Sequence, residues 1–142
     1  MWMVRRMLKL KLNIHQMFDA YIKEVRSLLE LAVPVWHPGL TAKQSSDIER
    51  IQKLSFKIIL QESYTSYEKA CKTFGTQTLQ LRREKLCLKF ATKNIKSERP
   101  LFSKTKRTRN NIVHEYKCNN GRFQKTSLPY MAKLLNKKHK LK

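Results

Sequence analysis

Catalysis and metal binding need acidic, thiol or imidazole side chains gathered in groups, and this chain offers few. Its only aspartates are Asp19 and Asp47, on separate predicted helices. Two-metal phosphoryl chemistry needs carboxylates converging on ions about 3.5–4 Å apart, a geometry that separate helices do not supply by sequence proximity. Cys71, Cys87 and Cys118 contain no Cys-x-x-Cys, and His15, His37, His114 and His139 are scattered. His114 and Cys118 can face each other across a turn, but a structural zinc site takes four ligands. The thiols therefore read as buried or idle in a reducing compartment. There is no Gly-rich phosphate loop and no Ser/His/Asp set. The expectation is a non-enzyme with no cofactor, no metal and no small-molecule substrate.

Charge is the stronger signal. Of the 142 residues, 31 are Lys or Arg and 10 are Asp or Glu, a formal net charge of +21. Residues 100–142 alone hold 12 basic side chains and 1 acidic one. Such self-repulsion favours a polyanionic partner, nucleic acid before anionic membrane. Arg82, Arg83, Lys85, Lys89, Lys93 and Lys96 give one predicted helix a basic side, offset only by Glu84 and Glu98. Further on, after Arg107 and Arg109, Tyr116, Phe123 and Tyr130 alternate with Arg122 and Lys125. Aromatics among cations suit single strands, where bases stack and phosphates pair. The same Lys/Arg runs also fit a nuclear-localisation signal.

The elements that position these residues read as helices. Residues 14–33 place Met17, Tyr21, Val25, Leu28, Leu29 and Ala32 on one face, with Lys23, Arg26 and Glu30 turned away. Pro34 should end or kink this helix, and Pro38 and Gly39 extend the corner. Thr41 with Gln44 forms a capping box for a helix over 42–60, its inner face Ile48, Ile51, Leu54, Ile58 and Ile59. Trp36 should plug the corner between the two helices. Thr65 with Glu68 suggests a second capping box before a short helix ending near Phe74, and Gly75 stands where a left-handed residue belongs. Thr78 can cap a helix over 79–97 with Leu79, Leu86, Phe90 and Cys87 inward. From Pro100 the pattern dissolves into polar, turn-rich sequence that buries too little apolar area to stay ordered unbound, apart from a short helix near 129–136 opened by Pro129. The expected fold is all-α, a bundle of three to four helices over 1–99, followed by a basic, largely disordered tail over 100–142. No apolar run approaches the ~18 residues of a membrane span.

Leu-Glu-Leu-Ala-Val-Pro-Val-Trp-His-Pro-Gly-Leu, followed by Ile-Glu-Arg-Ile-Gln-Lys at 48–53, resembles the region just after the polymerase palm of non-LTR (LINE-type) retrotransposon reverse transcriptases. Leu-Arg-Arg-Glu-Lys-Leu-Cys-Leu-Lys-Phe-Ala at 81–91 and Arg-Phe-Gln-Lys-Thr-Ser-Leu-Pro-Tyr at 122–130 resemble the same proteins' C-terminal end, and the likeness covers nearly the whole chain in the family's order. It implies a thumb and post-thumb fragment without endonuclease, fingers or palm. The family's paired palm aspartates have no counterpart here. Met1 then reads as a start inside an older domain, although the acid-free stretch over 1–12, with Arg5 and Arg6, also has features of a transit peptide.

By resemblance, the surviving activity is binding of RNA, RNA–DNA hybrid or single strands through backbone phosphates, with little sequence preference. The expected contacts are Arg82, Arg83, Lys85 and Lys89 on the helix and Arg107, Arg109, Arg122 and Lys125 in the tail. The location implied is nuclear or cytoplasmic, ahead of mitochondrial. Composition alone is also compatible with a structural RNA-binding protein of the ribosomal kind, a membrane-surface protein, or a decayed reading frame.

Overall fold

The computed structural model describes residues 6, 9–10, 12–98, 101–102, 113–116 and 120–140. Among them the chain is helical and contains no strand beyond an isolated bridge at Val113. In order come α1 (Ile14–Ala20), a π-helical turn (Tyr21–Arg26), α2 (Ser27–Glu30), α3 (Val33–Trp36), a 3₁₀ turn (His37–Gly39), α4 (Ala42–Leu60), a 3₁₀ turn (Gln61–Ser63), α5 (Tyr67–Thr73), α6 (Leu79–Ile95), α7 (Gly121–Gln124) and α8 (Ser127–Lys140). The all-α reading holds. The chain does not divide at residue 99, however. One compact unit comprises Met1–Leu31 and Thr41–Arg82, the other Ala32–Leu40 and Arg83–Lys142.

The first unit is built from α1, the π turn, α2, α4 and α5. Asn13 opens α1 with a capping box to Gln16, and Thr41 opens α4 with the expected box to Gln44. The core is Met17, Tyr21, Phe56, Ile59, Leu60, Ala70 and Cys71. Its rings interlock: Phe18 stacks on Phe74 at 4.2 Å, and Tyr21 meets Phe56 edge-on at 5.6 Å and 71°. Such pairs contribute ~0.5–1.5 kcal/mol beyond area burial.

Two expected faces are displaced. On α4 the buried stripe is Gln52, Ser55, Phe56, Ile59 and Leu60, while Leu54 is 39% exposed. The polar members of that stripe disguise its helical period. On the first helix Leu28 is 72% exposed rather than inward. The π turn makes i→i+5 bonds and so adds about one residue to the repeat, which carries Leu28 off the expected face, while Val25 still packs against the core.

Gln52 is wholly buried and fully engaged. Tyr21 Oη donates to its Oε1 at 2.9 Å, and its Nε2 donates to Tyr67 Oη at 2.9 Å and to the Gln77 carbonyl at 3.2 Å. Tyr67 Oη in turn donates to Glu49 Oε1. Glu49 completes the ladder by accepting from the Leu79 and Gln80 backbone N–H groups at 3.0 and 3.1 Å. A carboxylate from α4 thus satisfies orphan donors at the positive end of α6, a role shared with Thr78, whose hydroxyl accepts from the Leu81 N–H at 3.4 Å.

Short-range signals read well, with one slip. Ser66 rather than Thr65 caps α5, accepting from the Lys69 N–H. Gly75 takes the left-handed φ of 58°. The Thr76 N–H reaches the Cys71 carbonyl at 2.8 Å and the Gly75 N–H reaches Lys72 at 3.0 Å, a Schellman ending.

In the second unit, Cys87 and Ala91 of α6 pack with Met131, Ala132 and Leu135 of α8 and with Val33, Phe102 and Val113. The helix expected near 129–136 is longer, Ser127–Lys140. Pro129 lies in its first turn, where a missing N–H is tolerated. Pro34 also behaves differently from expectation. The preceding helix has already ended at Glu30, Ala32 adopts a left-handed φ of 51°, and Pro34 opens the short α3 instead of closing a helix. Trp36 does not plug a gap between the 14–33 and 42–60 helices. It packs in the second unit's core, against the α6 and α8 cluster. Phe90, expected inward, is 42% exposed.

Replacing Phe56 by Ala should cost ~3–5 kcal/mol, whereas Leu54→Ala should cost at most ~1 kcal/mol. Urea denaturation followed by circular dichroism would measure both, and similar costs would contradict the observed stripe.

Candidate nucleic-acid interface

The second unit carries a groove of about 560 Å³ whose lining side chains are Lys85, Lys89, Lys93, Lys96 and Lys138 with Leu88 and Thr92. Four of these lysines follow from one helical register. Spacings of four, four and three keep them on one side of α6, roughly 6 Å apart along the axis for each four residues. Cys87 and Ala91 occupy the opposite stripe and seat it against the core. Lys138 joins from α8. The Thr92 hydroxyl donates to the Leu88 carbonyl at 2.8 Å, leaving the ammonium groups as the groove's main polar feature.

Among the described residues no acidic side chain lines this groove. Neighbouring lysines lie within a Debye length of about 8 Å at physiological salt, so their potentials add. Lys93 and Lys96 also lie at the C-terminal end of α6, where the helix dipole favours cations.

The expected contact residues separate on inspection. Lys85 and Lys89 line the groove. Arg82 does not present a free guanidinium: its Nε and Nη2 donate to the two Glu30 oxygens at 2.5 and 2.8 Å. Glu30, expected to be a simple surface charge, also pairs with Arg26 at 3.6 Å. Hydrogen bonding to Glu30 raises the Arg82 pKa. Arg83 is wholly buried, because at 100° per residue it shares the stripe of Cys87 and Ala91. Arg122 and Lys125 are exposed on and just after α7, whereas Arg107 and Arg109 lie outside the described residues. Lys93 and Lys96 complete a spacing visible in the sequence. Lys138 could not be found that way, since its place depends on how α8 packs.

The two described thiols are buried, and Cys118 lies outside the described residues. Burial pushes the Cys87 thiol up to about 11 and raises Cys71 as well, so neither is a thiolate nucleophile at neutral pH. Burial and the Glu49 hydrogen bond raise Tyr67 strongly. Asp19 and Asp47 are exposed on α1 and α4. Among the described residues no three His, Cys, Asp or Glu side chains stand close enough to hold a metal ion, and no helix is long and apolar enough to cross a membrane.

No family model, curated protein or solved structure matches this chain. The chemical reading therefore rests on the side chains themselves. An open row of ammonium groups suits multivalent anions with regularly spaced charge, and phosphodiesters fit that description.

His37 is a second feature of this unit. Its Nε2 lies 3.2 Å from Tyr130 Oη, with the rings edge-to-face at 5.6 Å, and its buried Nδ1 makes no hydrogen bond. Burial lowers its pKa below 6.5, with Arg83 adding to the effect and Glu84 opposing it. Below 6.5 the unfolded chain binds a proton that the folded chain resists. The stabilisation from neutral His37 is therefore complete above 6.5 and is lost as pH falls through the lower folded value. His37→Gln should flatten the fall of the thermal midpoint between pH 7.5 and about 5; identical pH slopes would remove His37 as the cause.

Proposed function

We propose that this chain is a non-catalytic, thumb-like segment of the non-LTR retrotransposon reverse transcriptase kind, which binds template–primer nucleic acid through backbone phosphates. The observation that carries the reading is the groove of five lysines, on and just after α6 and on α8, with no acidic residue in its described lining. Lysine ammonium groups act as point charges without planar, bidentate recognition. They neutralise phosphates at many registers, which supports binding of RNA duplex or RNA–DNA hybrid with little sequence preference. The two aspartates, both exposed on separate helices, leave polymerisation to residues other than those of this chain.

The test is binding of the purified chain to labelled RNA–DNA hybrid, RNA duplex and single strand across a salt series, with circular dichroism of the same sample. If about five to eight phosphates are neutralised, log K should fall with log salt at a slope of roughly −4 to −7. Replacing Lys85, Lys89 and Lys93 together by Ala should make the slope shallower by roughly 2–3 while leaving the helical signal intact. A slope near zero, or a triple variant with the wild-type slope, would refute the groove. An unfolded chain binding heparin as tightly as hybrid would refute the thumb reading.

A further inference from the structure

We propose that His114, Tyr116 and Phe123 form a platform on which an unpaired nucleobase stacks, a site whose chemistry differs from that of the lysine groove. The inference rests on the reading of this chain as a nucleic-acid binder and adds the class of ligand: a single strand with exposed bases. Tyr116 and Phe123 have ring centroids 6.1 Å apart at 74°, and His114 meets Tyr116 at 6.1 Å and 75°. These are edge-to-face contacts, which hold rings in fixed mutual orientation. Tyr116 is half-buried against the second unit's core. Phe123 is 39% exposed and His114 is exposed. One ring is anchored and its neighbours present area to solvent, the division of labour that a stacking surface requires.

The segment beneath the platform is held by a buried side chain. Asn136, 1% exposed, accepts from the Val113 N–H on Oδ1 at 3.2 Å and donates from Nδ2 to the Val113 carbonyl at 3.0 Å. The same Nδ2 donates to Glu115 Oε1 at 2.9 Å. Val113 and Tyr116 both pack into the second unit's core, while His114 beside Val113 is exposed. Glu115 is the only acidic residue in 100–142, and this bond ties its carboxylate to an amide. Arg122 and Lys125, both exposed, flank Phe123 in sequence and can pair with the phosphates either side of a stacked base. Tyr130, which the sequence pattern groups with these aromatics, is instead tied to His37 and is not part of the platform.

Among the described residues the phosphate groove is lined by lysines, Leu88 and Thr92 and by no aromatic ring, so an abasic strand separates the two sites. Fluorescence anisotropy of the full chain would compare labelled oligothymidylate of about ten nucleotides, an abasic strand of equal length, and RNA–DNA hybrid. The wild type is expected to bind the base-bearing strand about 5- to 100-fold more tightly than the abasic one. Phe123→Leu, which keeps an apolar side chain of similar size, should abolish that preference with hybrid affinity and the circular dichroism spectrum unchanged, while Phe123→Trp should keep it. Equal affinity for both strands in the wild type, or a preference that survives Phe123→Leu, overturns the platform and leaves the phosphate groove standing. Failure to bind any of the three probes overturns both.

Discussion

The buried amide of Gln52 is the constraint around which the first unit is arranged. An amide taken out of water costs ~1–3 kcal/mol for each donor or acceptor left unmade. Gln52 avoids that cost only if the π turn, α5 and the loop before α6 are all in place, because Tyr21, Tyr67 and Gln77 supply its partners. The ladder continues through Glu49 to the first turn of α6. Linked hydrogen bonds of this kind specify one arrangement, since any alternative packing strands several polar groups at once. The Ile-Glu-x-x-Gln stretch of α4 is therefore an architectural device. Its two polar side chains, three residues apart, share one helical face and work as a unit.

A second constraint is the division between arginine and lysine on α6. Arg82 spends its planar fork on Glu30, and Arg83 is buried on the Cys87–Ala91 stripe. The lysines, with compact and strongly hydrated head groups, remain at the surface. On α6 the two arginines are thus held within the fold while the lysines are presented for exchangeable contacts. A surface of lysines favours rapid, salt-sensitive, register-tolerant association, which matches a grip on a nucleic-acid backbone better than the reading of a sequence.

In the second unit, rigidity comes from small side chains and one buried amide. Cys87, Ala91 and Ala132 are wholly buried members of the core that α6 and α8 share. Asn136 pairs with both backbone groups of Val113, where an isolated bridge also lies, and so ties the 113–116 segment to α8. The corner that contains Pro34 is joined to α8 through the Ser127 hydroxyl, which donates to the Val35 carbonyl at 2.9 Å, and through His37 and Tyr130.

Local chemistry was legible in the chain. The Thr41–Gln44 box, the left-handed Gly75, the cap at Thr78 and the four-residue lysine spacing on α6 all depend on neighbours within a turn or two, and backbone sterics and hydrogen-bond reach decide them. Tertiary structure alone decided the rest. Gln52 and Ser55 are core residues only because partners elsewhere satisfy them or, for Ser55, because its hydroxyl bonds back to Ile51. Leu28 turned outward because a π turn changed the phase of a pattern that reads as uninterrupted α-helix. Glu30 became the partner of Arg82 across 52 positions, Trp36 went to a different core from the one its neighbours suggest, and Lys138 reached the groove through the packing of α8. For Gln52, Glu30, Trp36 and Lys138 the deciding contact is remote in sequence. A periodicity argument can say which side chains share a face, but not which face will find a partner able to satisfy it.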